Sequence, residues 1–224
     1  MKKSTAIITA LALSAITATS LVACGGGNED NEPIDPNDKS AIVMEAEYVN
    51  LTDPLVVGKA ESAEATGLKL IFGMGYDEGE VKASNGYYLY QTFSDSFAIN
   101  FVFNSSMETT ARISVALGLS IDSGALQSAT FSQQNFSIKL NGDPFSYSLL
   151  AKNTDDPVEP VIKEVTVSTS AKIKKGENTI TLKVETNSDF NGQNLGPIID
   201  FVKVRANDKN AELSWTPHTD NIAE

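Results

Sequence analysis

Apolar and polar residues alternate in short runs along the chain from about residue 41 onward. Side chains at every second position of a strand face the same side, so this period predicts half-buried strands. Turn-forming sequences rich in Asn, Gly, Ser and Pro separate the runs. No long segment carries a convincing helical stripe of apolar residues. The alternating runs lie at residues 97–103, 113–117, 165–167, 180–184 and 202–204.

Many short strands without helices predict an all-β fold, a β-sandwich of the jelly-roll type, over residues 41–206. The sequences at the two ends of this region, residues 43–48 and 180–205, are candidates to pair. Long loops on a rigid sandwich are where binding residues usually lie. The segments longer than a hairpin needs are residues 73–80, 122–135 and 152–160.

Residues 1–23 have the layout of a secretory signal peptide, with two lysines, an apolar run and small residues before Cys24. This layout resembles the lipobox of bacterial lipoproteins. The resemblance implies cleavage before Cys24, lipid on that residue, and an exported protein anchored to the cell membrane or outer surface. A plain signal peptide or an N-terminal transmembrane helix is the alternative. Residues 24–40 predict a disordered tether, and residues 207–224 predict a short C-terminal tail.

Charge and rare residues exclude several classes of function. The formal net charge is −12, which argues against nucleic acid and anionic membrane surfaces because both need basic patches. The only cysteine, Cys24, precedes the folded region, so the fold has no disulfide, thiolate metal site or cysteine nucleophile. The only histidine, His218, lies beside a proline in the predicted tail, where catalytic geometry is hard to hold.

Three acids are the candidates for metal binding. Glu45 and Glu47 lie two residues apart on a predicted strand and therefore face the same side. Two like charges there repel each other unless water or a cation separates them, and calcium takes several carboxylate oxygens in flexible geometry. Asp200 begins the last predicted strand. A solvated outward face is the alternative explanation of the Glu45–Glu47 spacing.

Several short motifs follow one another in a characteristic order. They are E-A-E from Glu45, G-Y-Y-L-Y from Gly86, T-A-R-I-S-V-A-L from Thr110, F-S-I-K-L-N-G from Phe136, K-K-G-E-N-T-I-T-L from Lys174 and G-P-I-I-D-F-V-K-V from Gly196. Their order, over about residues 42–205, is similar to that of carbohydrate-binding modules of families 6 and 35. The resemblance implies a jelly roll that binds sugars and holds a structural calcium ion with Glu45, Glu47 and Asp200.

The resemblance also implies a sugar-binding cleft of aromatic and amide side chains. Aromatic rings stack on the apolar face of a pyranose, and amides fix its hydroxyls. A tyrosine after the glycine matches the family pattern, and asparagines of the last loop can replace a family asparagine that this chain lacks. The candidates are Tyr87, Tyr88, Tyr76, Asn191 and Asn194.

Three functions remain open. The first is non-catalytic binding of polysaccharide or glycan. The second is a structural or adhesive surface lipoprotein that has lost sugar binding, because Pro197 stands at the family asparagine and the only tryptophan, Trp215, follows the last predicted strand. The third is a glycan hydrolase with two carboxylates. Its visible acid pairs, Asp77-Glu78 and Asp155-Asp156, are adjacent in predicted loops and indicate solvated charge instead.

Overall fold

The computed structural model describes most of the region that follows residue 33. The described ranges are residues 34–50, 69–72, 83–84, 86–90, 98–120, 128–152, 161–185, 188–190 and 193–219. The description is of the backbone alone for residues 69–72, 90, 120, 188–190 and 193–196. Cys24, Tyr76, Asn191 and the predicted signal peptide lie outside these ranges. None of the helical segments within them is long and apolar enough to cross a membrane.

Two antiparallel sheets pack against each other. Sheet A has the strand order β10-β5-β13-β3-β2, with β1 and β12 also paired to β13, and sheet B has the order β14-β4-β11-β7-β8. Strands β6 and β9 form a separate two-stranded sheet. This arrangement confirms the predicted all-β sandwich. The strands are β1 (Ala41–Glu45), β2 (Lys69–Phe72), β3 (Tyr87–Tyr90), β4 (Ala98–Ser105), β5 (Thr109–Ser120), β6 (Ser128–Ser132), β7 (Phe136–Leu140), β8 (Asp143–Pro144), β9 (Ser148–Lys152), β10 (Lys163–Ile173), β11 (Gly176–Val184), β12 (Ser188–Phe190), β13 (Gln193–Ala206) and β14 (Leu213–Ser214).

The inward side chains of both sheets form one apolar core. Phe101 and Phe103 of β4 are 1% and 0% exposed, and Val115 of β5 and Val202 of β13 are fully buried. The residues between them face outward, as Val102 does with 43% of its surface exposed. Burial of each large side chain stabilises the fold by roughly 1.5–3 kcal/mol. The alternation in the sequence therefore predicts which face of the sandwich a residue occupies.

Sheet A is organised around β13. One edge of β13 pairs with β5, and the other edge pairs with β1 from Phe201 to Arg205 and with β3 at Ile199. The two ends of the sandwich are thus adjacent, as the sequence predicts. The register against β5 shifts between Ile199 and Val202, which marks a β-bulge with one extra residue on β13.

One predicted loop contains a strand. The sequence predicts a loop at residues 122–135, but β6 occupies Ser128–Ser132. Its Ala129 and Phe131 are 5% and 1% exposed, and the ring of Phe131 lies edge-on to that of Phe136 with 6.1 Å between centroids. The run S-A-T-F-S alternates polar and apolar residues, but it is only five residues long and Phe131 is its only large apolar side chain, so the sequence signal is weak. Pairing with β9 and burial of two side chains are what make it a strand.

The segments that flank the sandwich fold onto it. Ser40, in the predicted tether, is 1% exposed, and its carbonyl accepts a hydrogen bond from the N–H of Ala206 at 2.8 Å. Residues 207–218, which we call the C-terminal strap, return over the sandwich, and Leu213 and Trp215 of this strap pack on the core. Both segments are polar in sequence, so the few apolar residues that dock them give no periodic signal.

Candidate functional site

A gap lies on the edge of β13 between its two partners. β1 ends where Glu45 pairs with Phe201, and β3 meets β13 where Leu89 faces Ile199. Asp200 lies between these two pairs, at the bulge of β13, and is only 1% exposed. Because a bulge at a sheet edge redirects side chains and ends regular pairing, it leaves a buried carboxylate in this gap.

Glu47 reaches the same region by a path that differs from the predicted one. The sequence predicts Glu45 and Glu47 on one face of one strand, but Glu45 ends β1 and Ala46–Tyr48 form a single 3-10 turn. β1 cannot continue because β3 takes the next position along the edge of β13. Glu47 is fully buried in the turn, and its charge acts on both Glu45 and Asp200.

A tight turn before β3 places Ser84 in the gap. The N–H of Gly86 donates to the carbonyl of Ala83 at 3.2 Å and closes the turn. Gly86 has a φ of 82°, a left-handed conformation that glycine adopts without strain. The backbone N–H of Ser84 then donates to both carboxylate oxygens of Asp200, at 3.2 Å and 3.1 Å. The turn therefore fixes Ser84 against the bulge.

The hydroxyl of Ser84 joins acids from the first strand and the closing strand. It donates to Oε2 of Glu45 and lies 3.3 Å from Oδ1 of Asp200. A hydroxyl has one proton to donate, so it can serve only one of the two carboxylates at a time. The structure thus brings together Glu45 and Asp200 through a residue that sequence reasoning missed. The sequence Ser84-Asn85-Gly86 is typical of a turn, but the contact of Ser84 with two acids depends on the bulge and the 3-10 turn.

Burial and mutual repulsion raise the pKa values of these acids. Removal from water raises the pKa of Glu45 to about 7, the hydrogen bond from Ser84 opposes this shift, and the charge of Glu47 adds to it. Burial followed by the charge of Glu45 raises the pKa of Asp200 to about 8. At neutral pH the cluster therefore favours binding of protons or of a cation.

The oxygen donors of the cluster suit a hard cation, although they do not form a complete coordination sphere. Calcium takes about six to eight oxygen ligands in flexible geometry, and Glu45, Glu47, Asp200 and the Ser84 hydroxyl offer only oxygen. In the part of the chain that the structure describes, no group of three or more acidic, cysteine or histidine side chains is arranged to hold a metal ion. The residue types fit calcium, and the three carboxylates have to approach one another to share an ion.

The two neighbouring tyrosines of β3 have different surroundings. Tyr88 is 9% exposed and packs with Ile198, Ala83 and Ile162 in a small apolar cluster of its own. Tyr87 is half-buried and follows the turn of Ser84 directly. Packing accounts for Tyr88, so Tyr87 offers the larger accessible ring surface of the two.

The other predicted ligand residues are only partly placed. Asn194 lies near the start of β13 and pairs with Asp189 of β12. Tyr76 and Asn191 fall outside the described residues and stay predictions as ligand contacts. Cys24 also falls outside them, so its lipidation stays a prediction.

Several solved structures have a similar fold. They are carbohydrate-binding modules or carry one. A GH26-CBM35 β-(1,4)-mannanase of Podospora anserina has a TM-score of 0.46 and 15% identity, with coverage of 75% of this chain and 28% of that chain. A family 35 carbohydrate-binding module from an environmental isolate has a TM-score of 0.44 and 12% identity, with coverage of 79% and 98%.

A third structure in this set is a family 36 carbohydrate-binding module in complex with calcium and xylotriose. Its TM-score is 0.41 and its identity 13%, with coverage of 73% of this chain and 98% of that chain. No protein-family model and no curated protein sequence matches the chain.

Proposed function

We propose that this chain is a non-catalytic module that binds polysaccharide or glycan, exported as a lipoprotein and stabilised by a calcium ion. The observation that carries the proposal is the meeting of Glu45 and Asp200 at Ser84, in the gap between β1 and β3. The resemblance to carbohydrate-binding modules of families 6 and 35 implies that these same two acids belong to one calcium site. They come from opposite ends of the fold, so their meeting is not a consequence of closeness in sequence.

Glu45, Glu47 and Asp200 would hold the ion, with the Ser84 hydroxyl as an additional oxygen donor. When bound, calcium supplies the positive charge that offsets repulsion among these carboxylates, two of which are buried and one of which, Glu45, is partly buried. The four side chains belong to the end of β1, its following 3-10 turn, the bulge of β13 and the turn before β3. Joining them fixes the start of β3, which carries Tyr87.

Tyr87 is the first candidate for the sugar platform. Its half-buried ring leaves surface for stacking on the apolar face of a pyranose, and its position depends on the same turn that carries Ser84. Tyr76, Asn191 and Asn194 are the further candidates. The strongly negative net charge favours neutral or cationic glycans over anionic ones, since like charges repel.

The test is a binding screen of the calcium-loaded mature chain against a glycan array and insoluble polysaccharides. We expect binding to at least one glycan, and Tyr87→Ala should weaken it roughly tenfold because loss of a stacked ring costs about 1.4 kcal/mol. Leu150→Ala is the control, because Leu150 is an apolar residue of β9 with 48% of its surface exposed.

Two outcomes contradict the proposal. A folded, calcium-loaded protein that binds nothing in the screen is not a glycan-binding module. Release of shorter sugars from any polysaccharide shows catalysis and revives the hydrolase. For the membrane anchor, we expect Cys24→Ser to move the protein from the membrane fraction to the soluble fraction of its host. Unchanged membrane association would refute lipid attachment at Cys24.

The alternative is a structural or adhesive lipoprotein that has kept the sandwich and lost the sugar cleft. The burial of Tyr88 beneath Ile198 and Ile162 favours it, because one of the two adjacent candidate rings serves packing. Substitution of Tyr87 separates the alternatives. Loss of glycan binding with an intact fold excludes this second function.

A further inference from the structure

The two segments that flank the sandwich are bound to each other. Lys209 of the strap lies 2.9 Å from the carboxylate of Asp38, and Lys39 lies 3.3 Å from that of Glu212. The N–H of Leu213 donates to the carbonyl of Lys39 at 2.8 Å. The N-terminal segment is therefore fastened to the strap immediately before it enters β1.

The strap also holds the other end of β1. The N–H of His218 donates to the carbonyl of Tyr48 at 2.7 Å, in the 3-10 turn that follows β1. Along one side, β1 pairs with β13 from Ala41 to Glu45. The first strand is thus held by the sheet along its length and by the strap at both ends.

The placement of β14 shows that the strap does more than cover an open sheet edge. β4 runs over Ala98–Ser105, and protection of its edge would require cover along the whole strand. β14 pairs only with Ser105 and Asn104, and the N–H of Ser106 donates to the carbonyl of Glu212 at 2.9 Å. These contacts are concentrated where the N-terminal segment joins the sandwich.

We propose that residues 34–40 and the C-terminal strap form a mechanical clamp, which keeps β1 seated when tension reaches the sandwich through its N-terminal segment. Without the strap, such tension acts on the pairing of β1 with β13 and on the acid cluster at its end. With the strap, part of the tension passes to β4 and to the core through Leu213. The biological use of the clamp rests on the proposed anchor at Cys24. Its mechanics require neither lipid nor glycan.

Optical tweezers on the chain that begins at Cys24, produced without lipid attachment, test the clamp, with the free thiol of Cys24 as one handle. Cys24 and Asp143→Cys, in the short exposed strand β8 of sheet B, define a pulling direction through the N-terminal segment. Leu213→Ala and Leu149→Ala are matched variants, because the two leucines are 7% and 8% exposed and belong to the same core. His218→Pro removes the hydrogen bond that the strap donates beyond β1.

In this direction, Leu213→Ala should raise the unfolding rate at a given tension about tenfold more than Leu149→Ala does, the change expected for loss of one supporting interaction of about 1.4 kcal/mol. His218→Pro should also raise the unfolding rate when the chain is pulled through the same pair of handles. A second direction, with Asp143→Cys and Ser170→Cys as handles and Cys24→Ser, bypasses the N-terminal segment. There the two leucine variants should unfold at similar rates.

Equal unfolding rates of Leu213→Ala and Leu149→Ala in the first direction would overturn the clamp. The clamp would also be overturned if Leu213→Ala unfolded faster than Leu149→Ala by the same factor in both pulling directions, because that result indicates a general loss of stability. Failure of glycan binding or of lipid attachment leaves these rates unchanged. The clamp and the proposed function therefore fail separately.

Discussion

Two carboxylates of this sandwich each contact a serine hydroxyl, and their other neighbours give them opposite properties. Glu185, which follows β11 of sheet B, accepts hydrogen bonds from Ser137 at 2.7 Å, from Lys139 at 2.5 Å and from Lys183 at 3.0 Å. The bond from Lys139 is the largest cause that lowers the pKa of Glu185 to about 2. This carboxylate is already neutralised by cations.

Asp200 of sheet A has a serine and a second carboxylate as neighbours. It is buried beside Glu45, and its pKa rises to about 8. Within the described residues, no cationic side chain contributes to the shift of either Glu45 or Asp200. A carboxylate with lysines in place is a completed stabilising contact, whereas a buried carboxylate beside a partly buried one gains stability only when a proton or a cation binds.

The largest effect on stability is expected from calcium. At pH 8 a calcium concentration of 100 to 1,000 times the dissociation constant should raise the free energy of unfolding of the wild type by about 3–4 kcal/mol. At pH 5 the rise should be smaller, because protons on Glu45 and Asp200 compete with the ion. Thermal melts with calcium and with a chelator measure both values.

Matched variants locate the calcium effect. Asp200→Asn should abolish the rise, and Glu185→Gln should leave it unchanged because its carboxylate is already paired. If the calcium-dependent rise in the free energy of unfolding persists in Asp200→Asn, the ion binds at another site. Asp200 and Glu185 would then not differ in their response to calcium.

In the presence of chelator, Asp200→Asn should stabilise the protein at pH 8 by about 1–3 kcal/mol, because it removes a buried charge beside Glu45. A carboxyl whose folded pKa is raised contributes stability below its unfolded pKa of about 4 and loses it as the pH rises through about 8. The advantage of the variant should therefore shrink toward pH 4. Urea unfolding at both pH values tests this, and a chelated wild type that is equally stable at pH 5 and pH 8 speaks against it.

Glu185→Gln should show the opposite sign and the opposite pH dependence. We expect a loss of about 1 kcal/mol at pH 7, because the ion pairs of Glu185 with Lys139 and Lys183 are partly exposed. A lowered folded pKa means that the contribution is present above the unfolded pKa and is lost as the pH falls through about 2. Urea unfolding between pH 7 and pH 2 should show the variant and the wild type converging. A constant difference would rule out an electrostatic cause.

The smallest effects are expected at the two serines. Without calcium, Ser84→Ala and Ser137→Ala should each cost about 0.5–1.5 kcal/mol, the value of one hydrogen bond. With calcium, only Ser84→Ala should also reduce the calcium-dependent rise, because Ser84 lies between the two acids of the proposed site. Equal responses of the two variants to calcium would show that Ser84 takes no part in binding the ion.

The sequence predicts the sandwich and the pairing of its end strands, because strand faces follow from local alternation and Phe101 and Phe103 repeat it clearly. It also singles out Glu45 and Asp200, which the structure brings to one serine. It does not predict the 3-10 turn of Glu47. That turn forms because β1 and β3 pair with the same edge of β13, and this arrangement exists only in the folded sheet. The contact of Ser84 is missed for the same reason.

Strand β6 and the strap were also beyond the sequence pattern. β6 depends on burial of two side chains against distant strands. The strap depends on a few isolated apolar residues such as Leu213 and on hydrogen bonds from the N–H groups of Leu213 and His218 to backbone carbonyls, and any residue other than proline can donate these. Contacts made by backbone groups depend little on the identity of the side chain, so the sequence does not predict them.

Strand β13 follows each of its strand partners along the chain, and this order has a consequence for folding. Among the described strands, β1 pairs only with β13, so it must wait until nearly the whole sandwich has been synthesised. The main pairings of sheet B span shorter stretches of chain, because β4 and β7 both lie between β1 and β11 in sequence and pair with β11. Contacts of such long sequence separation slow folding. Until β13 arrives, β1 is an apolar strand with unpaired edges, which makes it prone to aggregation.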